Sequence, residues 1–149
     1  MHFALAPLKT MAHMAIASIP PLTATLIVAA GGALGAAARY EAGRLITHLM
    51  APTADFPWAT MTVNILGSLL MGLLVGWLAL GGSDAKMAYR LFIGVGLLGG
   101  FTTFSAFSME IILMIERGSY LPALSYAGVS VVAGLTAMMI GLAIMRAAL

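Results

Sequence analysis

The chain of 149 residues contains no cysteine, which removes disulfides, thiolate metal sites and cysteine nucleophiles from consideration. Charge is also scarce, with only 8% of residues being Asp, Glu, Lys or Arg. The high pI of about 9.3 therefore reflects a shortage of acids, since the formal net charge is only +2. Its seven basic residues are spread along the chain, so none of it forms the basic stripe that nucleic-acid binding needs. A serine hydrolase finds no Gly-x-Ser-x-Gly elbow, and the single histidine within an apolar stretch, His48, stands at the end of it.

What fills the chain instead is apolar. Hydrophobic residues make up 62% of it, with 17 glycines and a mean hydropathy of +1.05, which is more apolar surface than a water-soluble domain of this size can hide. Four stretches reach or exceed the ~20 residues that cross a bilayer core: Leu22 to Leu49, Trp58 to Leu80, Tyr89 to Ile115 and Leu121 to Ala147. Short connections join them, Met50 to Pro57 with two prolines, Gly81 to Ala88 with a Gly-Gly-Ser turn, and Glu116 to Tyr120 around Gly118. The sequence thus predicts an all-α integral membrane protein with one four-helix domain over residues 22–149. Residues 1–21 form an N-terminal extension. Its lysine follows the first apolar residues and no small-residue cleavage site precedes the first span, so it reads as an interfacial segment with His2, Lys9 and His13 on one polar face.

The few charges also bear on orientation, because Lys and Arg near helix ends normally fix which face stays cytoplasmic. Lys86, Arg90 and Arg146 fall on one side of a four-span chain, Arg39, Arg44 and Arg117 on the other, with Lys9 more distant. An even split lets a chain insert both ways, and two opposite copies can then pair about an axis in the membrane plane. The chain is therefore a candidate antiparallel dual-topology homodimer. The alternative is one orientation fixed by the tail or by lipid.

The polar residues within the spans are few and patterned. Gly99 to Glu110, reading Gly-Gly-Phe-Thr-Thr-Phe-Ser-Ala-Phe-Ser-Met-Glu, sets glycines and β-branched threonines where a helix interior is expected, so the third helix should break near its middle. In lipid such a break is tolerable only where the freed N–H and C=O groups face protein, water or an ion. On the second span Thr60, Asn64 and Ser68 recur every fourth residue and share one face, continued by Gly72 and Gly76. Thr60 and Ser68 suit helix packing, whereas the Asn64 carboxamide needs partners for two donors and an acceptor and is a candidate functional donor. The fourth span repeats the spacing with Tyr126, Ser130 and Gly134. The plainer alternative puts Tyr126 in the interfacial aromatic belt and Ser130 on its own backbone. Phe104 and Phe107, one turn apart, are either core or a pair of ring edges that can meet an anion beside a helix N-terminus. Arg39 closes the glycine-rich run from Gly31 and reads as a snorkelling or structural residue, and Glu110 as an interfacial acid or the lining of a wet entrance.

Taken together, Gly31-Gly32-x-x-Gly35-Ala36-x-x-Arg39-Tyr40, Thr62-Val63-Asn64-x-x-Gly67-Ser68 and the Gly99 to Glu110 run resemble the Fluc (CrcB-type) fluoride channel family, from about Leu26 to Arg146. The resemblance implies a passive fluoride-selective channel that exports the ion across the bacterial cytoplasmic (inner) membrane and confers fluoride resistance. It implies no enzyme, and an antiparallel dual-topology homodimer. By motif position it makes Phe104 and Phe107 an aromatic box, Asn64 a donor beside it, Ser108, Tyr126, Ser130 and Thr60 further parts of the pore, and Arg39 and Glu110 parts of a vestibule. It also implies a structural sodium ion at the dimer centre, held by backbone carbonyls of Gly99 and Thr102, a ligand set that suits a hard cation. Gly134 departs from the family pattern, which often has a hydroxyl there. Two other readings stay open: a small multidrug-type proton-coupled transporter, for which Glu41 stands too near the end of its span, and a non-transporting membrane scaffold, for which packing motifs alone suffice.

Overall fold

Hydrocarbon offers backbone groups no hydrogen-bond partner, so a spanning segment satisfies them along its own axis, and each apolar stretch here is helical. The computed structural model describes residues 19–50, 56–79 and 84–148. The interfacial role expected of residues 1–18, the first connection at 51–55 and the Gly-Gly-Ser turn lie outside them. Helix α1 runs Pro21–Leu49, with Pro20 and Pro21 at its start, where a missing N–H costs nothing. Helix α2 follows as Trp58–Leu78.

The third span, Lys86–Glu116, is built in pieces. Helix α3 (Asp84–Tyr89) continues as a π-helix over Arg90–Leu98, in which the Gly99 N–H reaches five residues back to the Gly94 carbonyl. One further turn, α4 (Gly99–Phe101), ends at Thr102 and Thr103, which are both extended at φ −83°, ψ 159° and φ −150°, ψ 127°. Helix α5 (Phe104–Glu116) then resumes with Thr103 as its N-cap, the threonine hydroxyl accepting the Ala106 N–H at 3.2 Å. A Schellman turn ends α5: Gly118 at φ +75° lets its own N–H reach the Ile115 carbonyl and that of Ser119 reach Met114, both at 2.9 Å. Helix α6 (Tyr120–Ala147) completes the fold.

The expected break is present, at the paired threonines of that run. Gly99 and Gly100 are helical, and the small size of Gly100 serves packing. A Cβ on Gly100 would stand 2.6 Å from the Gly32 carbonyl, and one on Gly96 2.8 Å from that of Val28. Gly31 and Gly35 of α1 meet the Phe92 and Leu97 carbonyls in the same seam. Glycines on both sides thus let α1 and the third span touch backbone to backbone. A second extensive contact joins α2 to α6, where a Cβ on Gly141 would meet Leu73 N at 2.8 Å. Val132, Leu135 and Met139 face outward and are exposed, as in a multi-pass membrane protein.

The seams yield a contrast of two variants. Gly141→Val is expected to cost about 1–3 kcal/mol, the usual penalty of overpacking, whereas Gly128→Ala, with nothing near its added carbon, keeps stability or raises it by up to about 1 kcal/mol, since alanine is the better helix former. Thermal melts in detergent read the difference, and equal midpoints would refute the account of the α2–α6 seam.

Candidate functional site

The break in the third span is held by one side chain. Asn64, about two turns into α2, donates from Nδ2 to the Thr103 carbonyl at 2.9 Å, and its Oδ1 accepts the Thr103 N–H at 2.8 Å. The carboxamide therefore pairs with an extended peptide unit as a neighbouring strand would, satisfying both polar groups of a residue that has left the helix. One Asn64 N–H remains free of these two bonds. Beside it lies a cavity of about 260 Å³ lined by Ser68, Met71, Thr102, Phe104 and Met138 as well.

Diverting those groups frees others. The Gly99 carbonyl loses its helical donor, since the Thr103 N–H goes to Asn64. The Thr102 carbonyl loses its own because the Ala106 N–H goes to the Thr103 hydroxyl. These are the two carbonyls on which the sequence resemblance placed a sodium ion. Among the described residues no three His, Cys, Asp or Glu side chains gather to hold a metal. The Gly100 carbonyl between them accepts from Arg39 Nε at 3.1 Å. Arg39 also borders a groove of about 1000 Å³ with Tyr40, Glu41, Arg44 and His48, so it stands at the break and at the edge of that groove together.

After the break, Phe104 is 79% exposed on this single chain. Its ring lies 5.8 Å from that of Phe107, which in turn lies 5.1 Å from Tyr126. Tyr126 is fully buried, in a cluster with Met114 and Ala123, so it does not belong to an exposed aromatic belt. Its hydroxyl donates to Glu110 Oε2 at 2.7 Å, while Thr60 Oγ1 donates to Glu110 Oε1 at 2.6 Å. Three residues expected at separate stations thus meet where α2, α5 and α6 converge. Of the remaining hydroxyls, Ser68 donates to the Asn64 carbonyl at 2.8 Å and Ser108 to that of Phe104 at 2.9 Å. Among the described residues Ser130 Oγ is buried and has no hydrogen-bond partner, so it does not bond back to its own helix. A Cβ on Gly134 would lie 3.5 Å from Ser68 Oγ, which sets a neighbouring hydroxyl beside the glycine. Thr103 had no assigned role from sequence, although a threonine three residues before a helical N–H is the N-cap pattern that points to it.

Residues 26–142 match the family described as CrcB-like protein, Camphor Resistance (CrcB). The chain belongs to the CrcB family. A relative from Novosphingobium aromaticivorans, named fluoride-specific ion channel FluC, is 54% identical over 125 residues, which cover 84% of this chain and 98% of the relative. One of the same name from Erythrobacter litoralis is 50% identical over 133 residues, 88% and 98% of the two chains. Another, from Hyphomonas neptunium, is 52% identical over 118 residues, 78% and 91%. The CrcB match begins inside α1 and ends near the close of α6, and so takes in the break, its clamp and the Glu110 cluster.

Removing the clamp has a direct cost. Asn64→Ala strips the partners from two backbone groups and is expected to lower stability by about 2–4 kcal/mol. Asn64→Asp keeps the acceptor for the Thr103 N–H but turns an oxygen toward the Thr103 carbonyl, and should melt at least as early. A wild-type melting temperature in both variants would mean that the clamp does not hold the break.

Proposed function

We propose that the chain is a passive fluoride-selective channel of the bacterial cytoplasmic membrane that exports fluoride and so gives fluoride resistance. The observation that carries this is identity of about half, across nearly the whole length of relatives named fluoride-specific ion channel. The local chemistry agrees with it. The free Asn64 N–H, the N-terminus of α5 and the edges of Phe104 and Phe107 offer weak positive potential. No lysine or arginine lies among the residues lining the cavity at the break, so nothing there traps an anion. Conduction asks for that balance between entry and release. No covalent chemistry is required, and the chain is read as a channel and not as an enzyme.

Two further parts belong to the same proposal. The working unit is an antiparallel dual-topology homodimer, supported by the even charge split and by the exposure of Phe104 beside the break, where a second copy would cover it. A structural sodium ion sits at the dimer centre on the Gly99 and Thr102 carbonyls, supported by their loss of helical donors. A two-fold axis would supply each carbonyl twice, and neutral oxygens suit a hard cation. The bound ion would supply positive charge at the break, and the chain's part is to keep those oxygens turned away from helical bonding.

Among the rivals, a proton-coupled exchanger built on Glu41 is disfavoured, because that residue is exposed and paired with Arg44 at 3.0 Å. Glu110 is the better candidate for proton coupling, being half-buried among hydroxyls, and the transport assay separates the two ideas. A scaffold would not need a carboxamide clamped to a broken helix.

The test is fluoride efflux from liposomes holding the purified protein, followed with a fluoride electrode, with valinomycin and potassium fixing the voltage and chloride as the control anion. Fast efflux of fluoride alone, without a proton gradient, is the expected result, and a requirement for a proton gradient would replace the channel with an exchanger. Phe104→Ile and Phe107→Ile should each slow the flux by at least about tenfold in protein that still folds; wild-type flux in both would remove the aromatic box.

A further inference from the structure

Gly31, Gly35 and Arg39 follow one another at four-residue spacing and lie on one face of α1. The two glycines bring that face against the Phe92 and Leu97 carbonyls of the third span, closer than any side chain would allow. One turn further on, the half-buried Arg39 reaches the Gly100 carbonyl with Nε at 3.1 Å. In a continuous helix Gly100 would be served by the Phe104 N–H, which here stands across the extended Thr102–Thr103 pair. Its carbonyl is an orphan at the negative end of a helix, where a cationic donor binds best.

We propose that Arg39 is a positioning residue of the pore. Through Nε it holds the Gly100 carbonyl from the α1 side, while Asn64 holds Thr103 from the α2 side. The extended pair is thereby pinned at both ends by two different helices. Releasing the α1 end lets the first half of the third span turn about Thr102, and this displaces the Gly99 and Thr102 carbonyls and the Phe104 ring in the same movement. A vestibule charge would act through the outer nitrogens and through its field. This role acts through the inner nitrogen and its geometry. It rests on the fluoride-channel reading, because its readout is fluoride flux.

Two substitutions separate donor from charge. In Arg39→Gln the carboxamide nitrogen stands the same number of bonds from the backbone as Arg Nε, so the donor survives and the charge is lost. In Arg39→Lys the charge survives but a methylene occupies the place of Nε. Flux is read in liposomes carrying about one channel each, where the fraction of active vesicles counts folded protein and the rate in active vesicles reports the pore. The expected result is that Lys slows the rate per active vesicle about tenfold, the loss of a charge-assisted hydrogen bond, while Gln stays within about threefold of wild type. The deficit in the Lys variant should persist at high ionic strength, where a long-range field is screened. The reverse order, wild-type rates in both or equal loss in both would each overturn the proposal, as would a defect confined to the active fraction. Absence of flux from the wild-type protein would instead remove the channel reading itself.

Discussion

Two hydrogen bonds between the Asn64 carboxamide and the Thr103 peptide set the terms for the rest of the site. An extended residue inside a membrane-spanning helix leaves its own N–H and C=O, and those of its neighbours, without partners, and each such group costs several kcal/mol in hydrocarbon. Asn64 answers for both groups of Thr103 at once. With that settled, α5 can begin at Phe104 with a hydroxyl cap, Phe104 stands at the start of a helix instead of within one, and the Gly99 and Thr102 carbonyls are left for something other than the helix.

The clamp works only because the helices are close. A side chain as short as asparagine spans the gap between α2 and the third span, and Gly67 on the same helix is packed against the Thr102 methyl group so tightly that a Cβ would overlap it. The same logic holds on the α1 side, where Gly31 and Gly35 set the separation at which Arg39 meets Gly100. Small residues draw backbones together, and the polar residues one turn away then find partners that would otherwise be out of reach. Apolar burial does little to hold these helices to one another, since lipid is as apolar as their side chains; shape and these few polar contacts do it.

The four spans were legible because length and hydropathy alone decide them, and the match extends to ends within a few residues: Leu22 against Pro21, Leu80 against Leu78, Ile115 against Glu116. That the third helix breaks could also be read, from its run of glycine and threonine. Its place at the paired threonines, just before Phe104, could be read as well; that the glycines before them stay helical could not, because helix propensity penalises them, yet Gly100 spends its small size on the α1 seam. Neither could the π-helical stretch over Arg90–Leu98 be read, as its apolar residues carry no mark of a five-residue hydrogen bond. Spacing put Thr60 on a polar face and Tyr126 on another, but spacing along a helix says nothing of which third residue stands between two faces. Glu110 was that residue.

Its position changes what the polar faces can offer. Thr60 and Tyr126 each have a single O–H, and both are spent on the Glu110 carboxylate, so toward any other group they present oxygen lone pairs. In the proposed pore this end is therefore rich in acceptors and poor in donors. The donors left for an anion on the other side of Phe107 are the second N–H of Asn64 and the first turn of α5; the buried Ser130 hydroxyl, which has no partner among the described residues, is a further one. An anion leaving those donors gains nothing from Thr60 or Tyr126 while both hydroxyls stay turned to Glu110, and it meets a carboxylate as well. The step past Phe107 is then the one at which stabilisation is lost. Rapid passage requires that the hydroxyls rotate away from Glu110, or that water carries the anion beyond them.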